Sequence, residues 1–451
     1  MSGIFGTLNT ATKGLLAQQT ALHTASHNIS NANTEGFSRQ RVQMQADLSY
    51  TLAGVGQLGT GVKMESVVRM TDDYVNKQIR NENSAYEQYN VKSQTLDQLE
   101  ITLNEPSTTG INFNLNEMFN AWQELSKNPE SLSAKTIVVE KSKALVETIN
   151  HIANQIESLK VETNDQIDKN ILDFNTTIDK IDSLNKQIFN ISVKGEVPND
   201  LLDQRDLLLK DLSSIAKVDV NYDKYGRAEI NLNGEIVLNG ELKNTLTKNA
   251  AGEFFVGADK IDITTGKIKG YLESIEVLDG VISQLDDFVK SMATEVNNLH
   301  KLVRDVVEPA PAGKDIFTDI DSAKSVKVNP DINNDNELIL PGYTIHKGDG
   351  QRALDISKLN KKLLGDGSTI TGKYNDIVTR VGISKQQSDN IVANQEVLLN
   401  QLVLKRESTS GVSIDEEVTN VLKYQKAYEA NARVISVLND MLDVLINRTG
   451  V

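Results

Sequence analysis

Apolar residues recur every seventh position at both ends of the chain. Leu8, Leu15, Leu22 and Ile29 form the first run. Val421, Tyr428, Ile435 and Leu442 form the second, with Tyr424, Leu438 and Leu445 three residues beyond Val421, Ile435 and Leu442. Sevenfold spacing is the seam of a helix that packs lengthwise on another helix. The first predicted helix covers about residues 4–32, roughly 40 Å at the α-helical rise. It ends in Asn31-Ala32-Asn33-Thr34-Glu35-Gly36, where Asn and Gly tolerate the left-handed conformation that stops a helix. The last helix opens with a capping box, Ser413 and Glu416, and runs about 35 residues to Asn447. Before it, Glu407-Ser408-Thr409-Ser410-Gly411 reads as a polar hinge.

Between these ends the period is helical from about 71 to 216. Ile79, Tyr86, Tyr89, Leu96 and Leu103 form one stripe, stopped at Asn104-Glu105-Pro106. A short helix follows with Leu115, Met118, Phe119, Trp122 and Leu125 on one face, ended by Asn128-Pro129. The sole Trp on that face is expected in the core. No Gly or Pro occurs from 131 to 194, which predicts one rod-like helix. From 217 to 270 the period becomes two, punctuated by Asn233-Gly234 and Asn239-Gly240, the strongest short-range hairpin signal. Helical spacing returns at Tyr271–Val303 and about Tyr374–Leu404; Pro309 and Pro311 open a mixed stretch rich in Asp, Asn and Gly.

The expected fold is mainly α with a small β-rich part: paired terminal coiled-coil helices, an elongated helical bundle and antiparallel β insertions. The expected parts are 1–40 plus 411–451 (terminal coiled coil), 41–216 plus 271–305 plus 373–410 (bundle), 217–270 (β domain) and 306–372 (mixed insertion).

Charge sharpens this picture. The first 38 residues carry only Lys13 and Glu35 as charges, although 24% of the chain is charged. A weakly charged amphipathic terminus is poorly suited to standing alone in water, so assembly is indicated rather than catalysis. Isolated helices are marginal in water, which predicts that the ends order fully only on assembly. The net charge of -15 argues against a general nucleic-acid surface. Mean hydropathy is -0.33, and no apolar run of about 18 residues suggests a membrane span. The amino terminus shows no Sec-type signal pattern. Without cysteine, neither disulfides nor thiolate metal sites arise.

Candidate chemistry is sparse. Gly54-Val55-Gly56-Gln57-Leu58-Gly59-Thr60-Gly61 matches G-x-G-x-x-G in form. That motif needs a helix N-terminus to meet a phosphate, whereas Val62–Val68 reads as extended. His23 and His27 stand one helical turn apart without the Glu or third ligand of a zinc site. Asp331, Asn333 and Asp335 copy the start of a calcium loop, but Asn336 and Gly342 replace its Gly and Glu. The acids around Arg205 in Asn199–Leu208 are expected on a solvated helix face. No catalytic residues, cofactor or metal are assigned.

Three stretches carry a resemblance. Asn28-Ile29-Ser30-Asn31-Ala32-Asn33-Thr34-Glu35-Gly36-Phe37-Ser38-Arg39 resembles the signature of bacterial flagellar rod, hook and hook-associated proteins, with Asn28, Asn31, Asn33, Thr34, Gly36, Phe37 and Arg39 as its motif residues. Asn199-Asp200-Leu201-Leu202-Asp203-Gln204-Arg205-Asp206 resembles a stretch of the hook-associated protein 1 family, as does the end, Ser410–Glu417 through Tyr424–Arg433. The resemblance implies a non-enzymatic axial subunit joining hook to filament. Its implied partners are copies of itself, hook protein, a second junction protein next to flagellin, and an export chaperone. It also implies secretion by the flagellar type III route, without membrane insertion. The chain is short for that family, so a large outermost domain is expected to be missing, with only modest outer insertions left. The alternatives are another axial protein (hook protein or flagellin) and a nucleotide-binding enzyme using residues 54–61.

Overall fold

The computed structural model describes residues 3–52, 54 and 56–448. Helix α1 (Ile4–Ser30) leads to strand β1 (Gln40–Ala46), a small hairpin of β2 (Tyr50–Leu52) and β3 (Gly56–Leu58), and β4 (Val62–Arg69). Helices α2 (Asp73–Leu103), α3 (Ile111–Lys127), α4 (Leu132–Ser192) and α5 (Asn199–Ile215) follow. Next come strands β5 (Asp219–Tyr222), β6 (Ala228–Leu232), β7 (Glu235–Leu238), β8 (Leu246–Lys248), β9 (Phe254–Val256) and β10 (Asp259–Ile261). The chain continues through α6 (Lys267–Lys301), β11 (Phe317–Thr318), β12 (Lys327–Val328), α7 (Pro330–Asn334) and α8 (Gln351–Ser357). It closes with α9 (Ile370–Ser410) and α10 (Ile414–Asp443), the latter running into a wider π-type turn over Val444–Arg448. The fold is mainly α with small antiparallel sheets.

Two compact units result. One holds the chain up to Ala85, Ile171–Gly266 and the chain from Gln395 onward; the other holds Tyr86–Asn170 and Lys267–Asn394. These boundaries differ from the four parts expected from the sequence, because three of them fall inside α2, α4 and α9.

The second unit is built on the apolar face of α3. Ile111, Leu115, Met118, Trp122 and Leu125 lie three and four residues apart and are all fully buried. They belong to one core with Leu96, Leu99 and Leu103 of α2, Leu145 to Ile156 of α4, and Leu285 to Val296 of α6. Residues 306–372, expected as an insertion, deliver Ile316, Phe317, Val326, Ile332, Ile339 and Ile356 to that same core. Their apolar runs are too short to show a period, which is why sequence reading left them as mixed. Asn297 fastens the segment: its Oδ1 accepts the Ile316 and Phe317 N–H groups, and its Nδ2 donates to the Phe317 carbonyl.

In the first unit, β5, β6 and β7 form one antiparallel sheet and β8, β9 and β10 another. Asn233 and Gly234 adopt φ of 51° and 93°, the two-residue primed turn their sequence predicts. Asn185 of α4 anchors the first sheet by exchanging both amide hydrogen bonds with the backbone of Ala228. The long rod expected over 131–194 is α4, about 90 Å of continuous helix. The polar stretch 407–411 is no hinge through its length: α9 continues to Ser410 and only 411–413 break the helix. Glycines 54–61 sit in and beside strands, with β4 rather than a helix after them, and Val55 lies outside the described residues. Among the described residues no helix opens directly after these glycines.

Candidate functional site: a polar junction beneath the terminal helices

Helices α1 and α10 pack antiparallel. Asn28 meets Glu417, and a Cβ on Gly14 would lie 2.8 Å from Asn431 Oδ1. The facing positions of α1 are small: Ala11, Ala17, Ala21 and Ala25 are all buried. Gly14 lies in their midst, against the Asn431 side chain. The stripe expected at this end of the chain divides between the seam and solvent. Leu438 is buried, and Val421, Tyr424, Ile435 and Leu442 are half-buried, while Tyr428 and Leu445 stay exposed. On α1, Leu8, Leu15, Leu22 and Ile29 are only half-buried, flanking the alanine face. The other side of α10 leaves Val418, Leu422, Val434, Val437 and Met441 in solvent, as does the turn after it at Val444, each more than 40% exposed.

At the foot of this pair the three motif stretches meet. Asn28, fully buried, exchanges two hydrogen bonds of 2.9 Å with the backbone of Gln40 and donates a third to Glu417. Arg39 grips the start of α10, with Nη1 3.0 Å from Glu416 and Nη2 2.7 Å from Glu417. Its backbone N–H donates to the Ser410 carbonyl at the end of α9. Ser413 caps α10 by accepting the Glu416 N–H; the Glu416 carboxylate pairs with Arg39. On the other flank, the Ser38 N–H donates to Asp203 of α5. Arg69, at the end of β4, bridges Asp203 at 2.7 Å and Asp206 at 2.9 Å.

The remaining motif residues shape the loop between α1 and β1. Asn31 donates to the His27 carbonyl and accepts from the Thr34 hydroxyl. Phe37 stands edge-on to the His27 ring at 5.5 Å. Gly36 has φ of 80°, which a residue with a side chain rarely adopts, and it sits against Leu207 of α5. Asn33 is exposed. His27 lies 3.4 Å from Asp200, whereas His23 is exposed. In the second unit, Asp331 pairs with Lys314 and Asp335 caps a turn through the Glu337 N–H. Among the described residues no group of three or more His, Asp or Glu is arranged to hold a metal ion.

Burial sets the electrostatics. Asp203 and Arg205 are buried, so the solvated face expected for α5 is corrected. Arg69 and Ser38 cover Asp203, while Arg205 stacks on Tyr222 at 4.3 Å and donates to the Gly226 carbonyl. Loss of water raises the Asp203 carboxyl above its ordinary pKa, against the opposing pull of Arg69 and Ser38. Burial also opposes the charge of Arg69, but Asp206 and Asp203 outweigh it and hold that guanidinium above its usual value. Removing one partner from such a network leaves a buried charge uncompensated.

Comparison with known proteins shows the family of the chain. The family model described as flagellar hook-associated protein FlgK helical domain matches residues 96–317. Models for the flagellar basal body rod FlgEFG protein C-terminal region and the flagella basal body rod protein match 406–448 and 8–37. Flagellar hook-associated protein 1 of Bacillus subtilis (strain 168) is 30% identical over 507 aligned residues, spanning 100% of this chain and 99% of that protein. The chain belongs to the hook-associated protein 1 family. The Escherichia coli (strain K12) member is 25% identical over 98% of this chain and 99% of its own length. The flagellar hook junction protein FlgK from Burkholderia pseudomallei shares the fold, with a TM-score of 0.65 at 14% identity, over 74% of this chain and 100% of that one. Hook-associated protein 1 family members are structural proteins of the flagellum, and the flagellum is where this chain assembles. No described helix is long and apolar enough to cross a membrane.

Sequence reading of this family member singled out the signature over 28–39 and the acids of α5, but not that they touch. Gln40, Arg69, Asp203, Asp206 and Glu417 complete the junction. Asp203, Asp206 and Glu417 lie within the resembling stretches Asn199–Asp206 and Ser410–Glu417, and Gln40 directly follows Arg39; Arg69 carried no signal. The alanine face of α1 was open to view as a run of small residues, Ala11, Gly14, Ala17, Ala21 and Ala25, three or four apart.

Proposed function

We propose that this chain is a non-catalytic subunit that polymerises at the hook–filament junction, joining hook to filament and supporting filament growth and motility. One observation carries the reading: α1 and α10 satisfy each other through the alanine face yet leave a second apolar side of α10 uncovered. An exposed apolar stripe of this size is the mark of a surface awaiting a partner. Neighbouring copies cover it, together with the flanks bearing Leu8, Leu15, Leu22 and Ile29 and the outward Tyr428 and Leu445. Hook protein is the neighbour on one side and a second junction protein, next to flagellin, on the other. The chain is secreted by the flagellar type III route, and an export chaperone shields the ends beforehand.

Deleting the gene should give hooks without filaments, with flagellin lost to the medium. Complementation with Val437→Asp tests the surface itself. Val437 is about half exposed, so the isolated variant should keep the wild-type circular dichroism spectrum and still fail to restore filaments. Normal filaments from the variant would refute the assignment of that surface. Antibody labelling along the whole hook, or along the filament, would instead identify another axial protein.

A further inference from the structure

Two Asn-Gly pairs lie six residues apart in the β5–β7 region, and the fold treats them differently. Asn233 is at the tip of the β6–β7 turn, exposed, with φ of 51°, and no hydrogen bond engages its side chain. A Cβ built on Gly234 would meet nothing within 4 Å. Asn239, by contrast, is fastened. Its Oδ1 accepts the N–H groups of Glu241 and Leu242 at 2.8 and 2.6 Å, and its own N–H donates to the Leu242 carbonyl at 2.9 Å. Gly240 packs under Arg227, whose guanidinium nitrogen would lie 2.6 Å from an added Cβ.

We propose that Asn233 is a modification site: it converts spontaneously to aspartate and isoaspartate, while Asn239 is protected by its surroundings. The Gly234 backbone nitrogen attacks the Asn233 side-chain carbonyl carbon. A new C–N bond closes a succinimide, the bond from that carbon to Nδ2 breaks, and ammonia leaves carrying the proton lost by Gly234. Water then opens the ring at either carbonyl, giving aspartate or isoaspartate and one added negative charge. Glycine matters because no side chain shields its nitrogen. The primed turn does not itself place that nitrogen on the carbon, so the tip must rotate first. At Asn233 this opening sacrifices no side-chain hydrogen bond and displaces no neighbour. At Asn239 it breaks both bonds to Oδ1 and moves Gly240 against Arg227. Isoaspartate also inserts an extra backbone carbon, so the two-residue turn cannot re-form in its original geometry.

The test incubates the purified full-length protein in mildly alkaline buffer and follows both sites by tryptic mapping. Cleavage at Arg227 and Lys243 releases one peptide holding both residues, and fragment ions separate them. Methyl-acceptor labelling by an isoaspartate methyltransferase supplies a second readout. Losing two hydrogen bonds on opening predicts a rate at Asn233 about tenfold or more above that at Asn239. In denaturing urea the two rates should approach each other. Folded protein converting both sites equally, or Asn239 faster, would overturn the proposal. So would absence of conversion at Asn233 where the unfolded chain converts, or an unchanged preference in urea. Asn233→Gln should remove the methyl-acceptor signal from the 228–243 peptide of the folded protein while leaving its circular dichroism unchanged.

Discussion

His300, in the last turn of α6, makes the second unit sensitive to acid in a way that can be calculated. It is fully buried. Its Nδ1–H donates to the Lys314 carbonyl at 2.6 Å and its Nε2 accepts the Leu340 N–H at 3.1 Å. Both nitrogens are committed, so a second proton would set N–H against N–H in a dry site near Arg352. Burial first, and Arg352 in addition, against the Lys314 carbonyl and Asp315, lower its pKa to about 4. Because the folded value lies below the unfolded one, the stabilisation is complete above about pH 6.5 and drains away as pH falls towards about 4. Between about pH 7.5 and about pH 5 the loss amounts to about 2 kcal/mol. His300→Gln keeps one donor and one acceptor but does not titrate. The variant should be weaker at neutral pH by about 1–2 kcal/mol, yet it should lose about 2 kcal/mol less on acidification. Trp122, buried in the same core with its ring 6.3 Å from that of His300, is the chain's sole tryptophan and reports urea unfolding of this unit by fluorescence. Identical pH dependence in wild type and variant would refute the reasoning.

Three further outcomes test the junction. Asn28→Ala strands the Gln40 N–H and carbonyl and should cost about 2–3 kcal/mol, seen as faster protease cleavage between residues 31 and 39; Asn28→Asp, which adds a carboxylate beside Glu417, should be worse than Ala. Asp203→Ala leaves Arg69 with Asp206 alone and Ser38 without an acceptor. A loss of about 3 kcal/mol is expected, and hydrogen exchange should quicken at residues 36–40. Gly14→Leu forces α1 away from Asn431, at a cost of about 1–3 kcal/mol that helix propensity does not offset. Circular dichroism should lose helix there, while Gly14→Ala, which displaces only the flexible tip of Asn431, should be nearly silent.

Elements with a strong local cause could be read from the chain. The α4 rod follows from an unbroken stretch without Gly or Pro, the β6–β7 turn from Asn233-Gly234, and the start of α10 from Ser413. The sevenfold leucines correctly marked α1 as a helix that seeks company, but they did not mark its inner face. Close approach of two helices selects for small side chains, so Ala17 and Ala21 occupy the seam and Leu15 and Leu22 ride beside it. The junction was legible only in pieces. Ser38 reaches Asp203 across 165 positions, and Arg39 reaches Glu417 across 378, and no period or spacing encodes such a meeting. Residues 306–372 hid their core contribution for a different reason: Ile316-Phe317 and Ile332 are brief apolar islands among turn formers.

Antiparallel pairing of the two extremities has a temporal consequence. Ribosomes complete Ile4–Ser30 almost four hundred residues before they reach Ile414–Asp443, the surface that covers it. Throughout that interval the alanine face has no mate, and the Asn28 carboxamide waits for Glu417. Whatever handles the nascent or travelling polypeptide must therefore keep the leading segment occupied, because the fold closes like a clasp whose second half is made last.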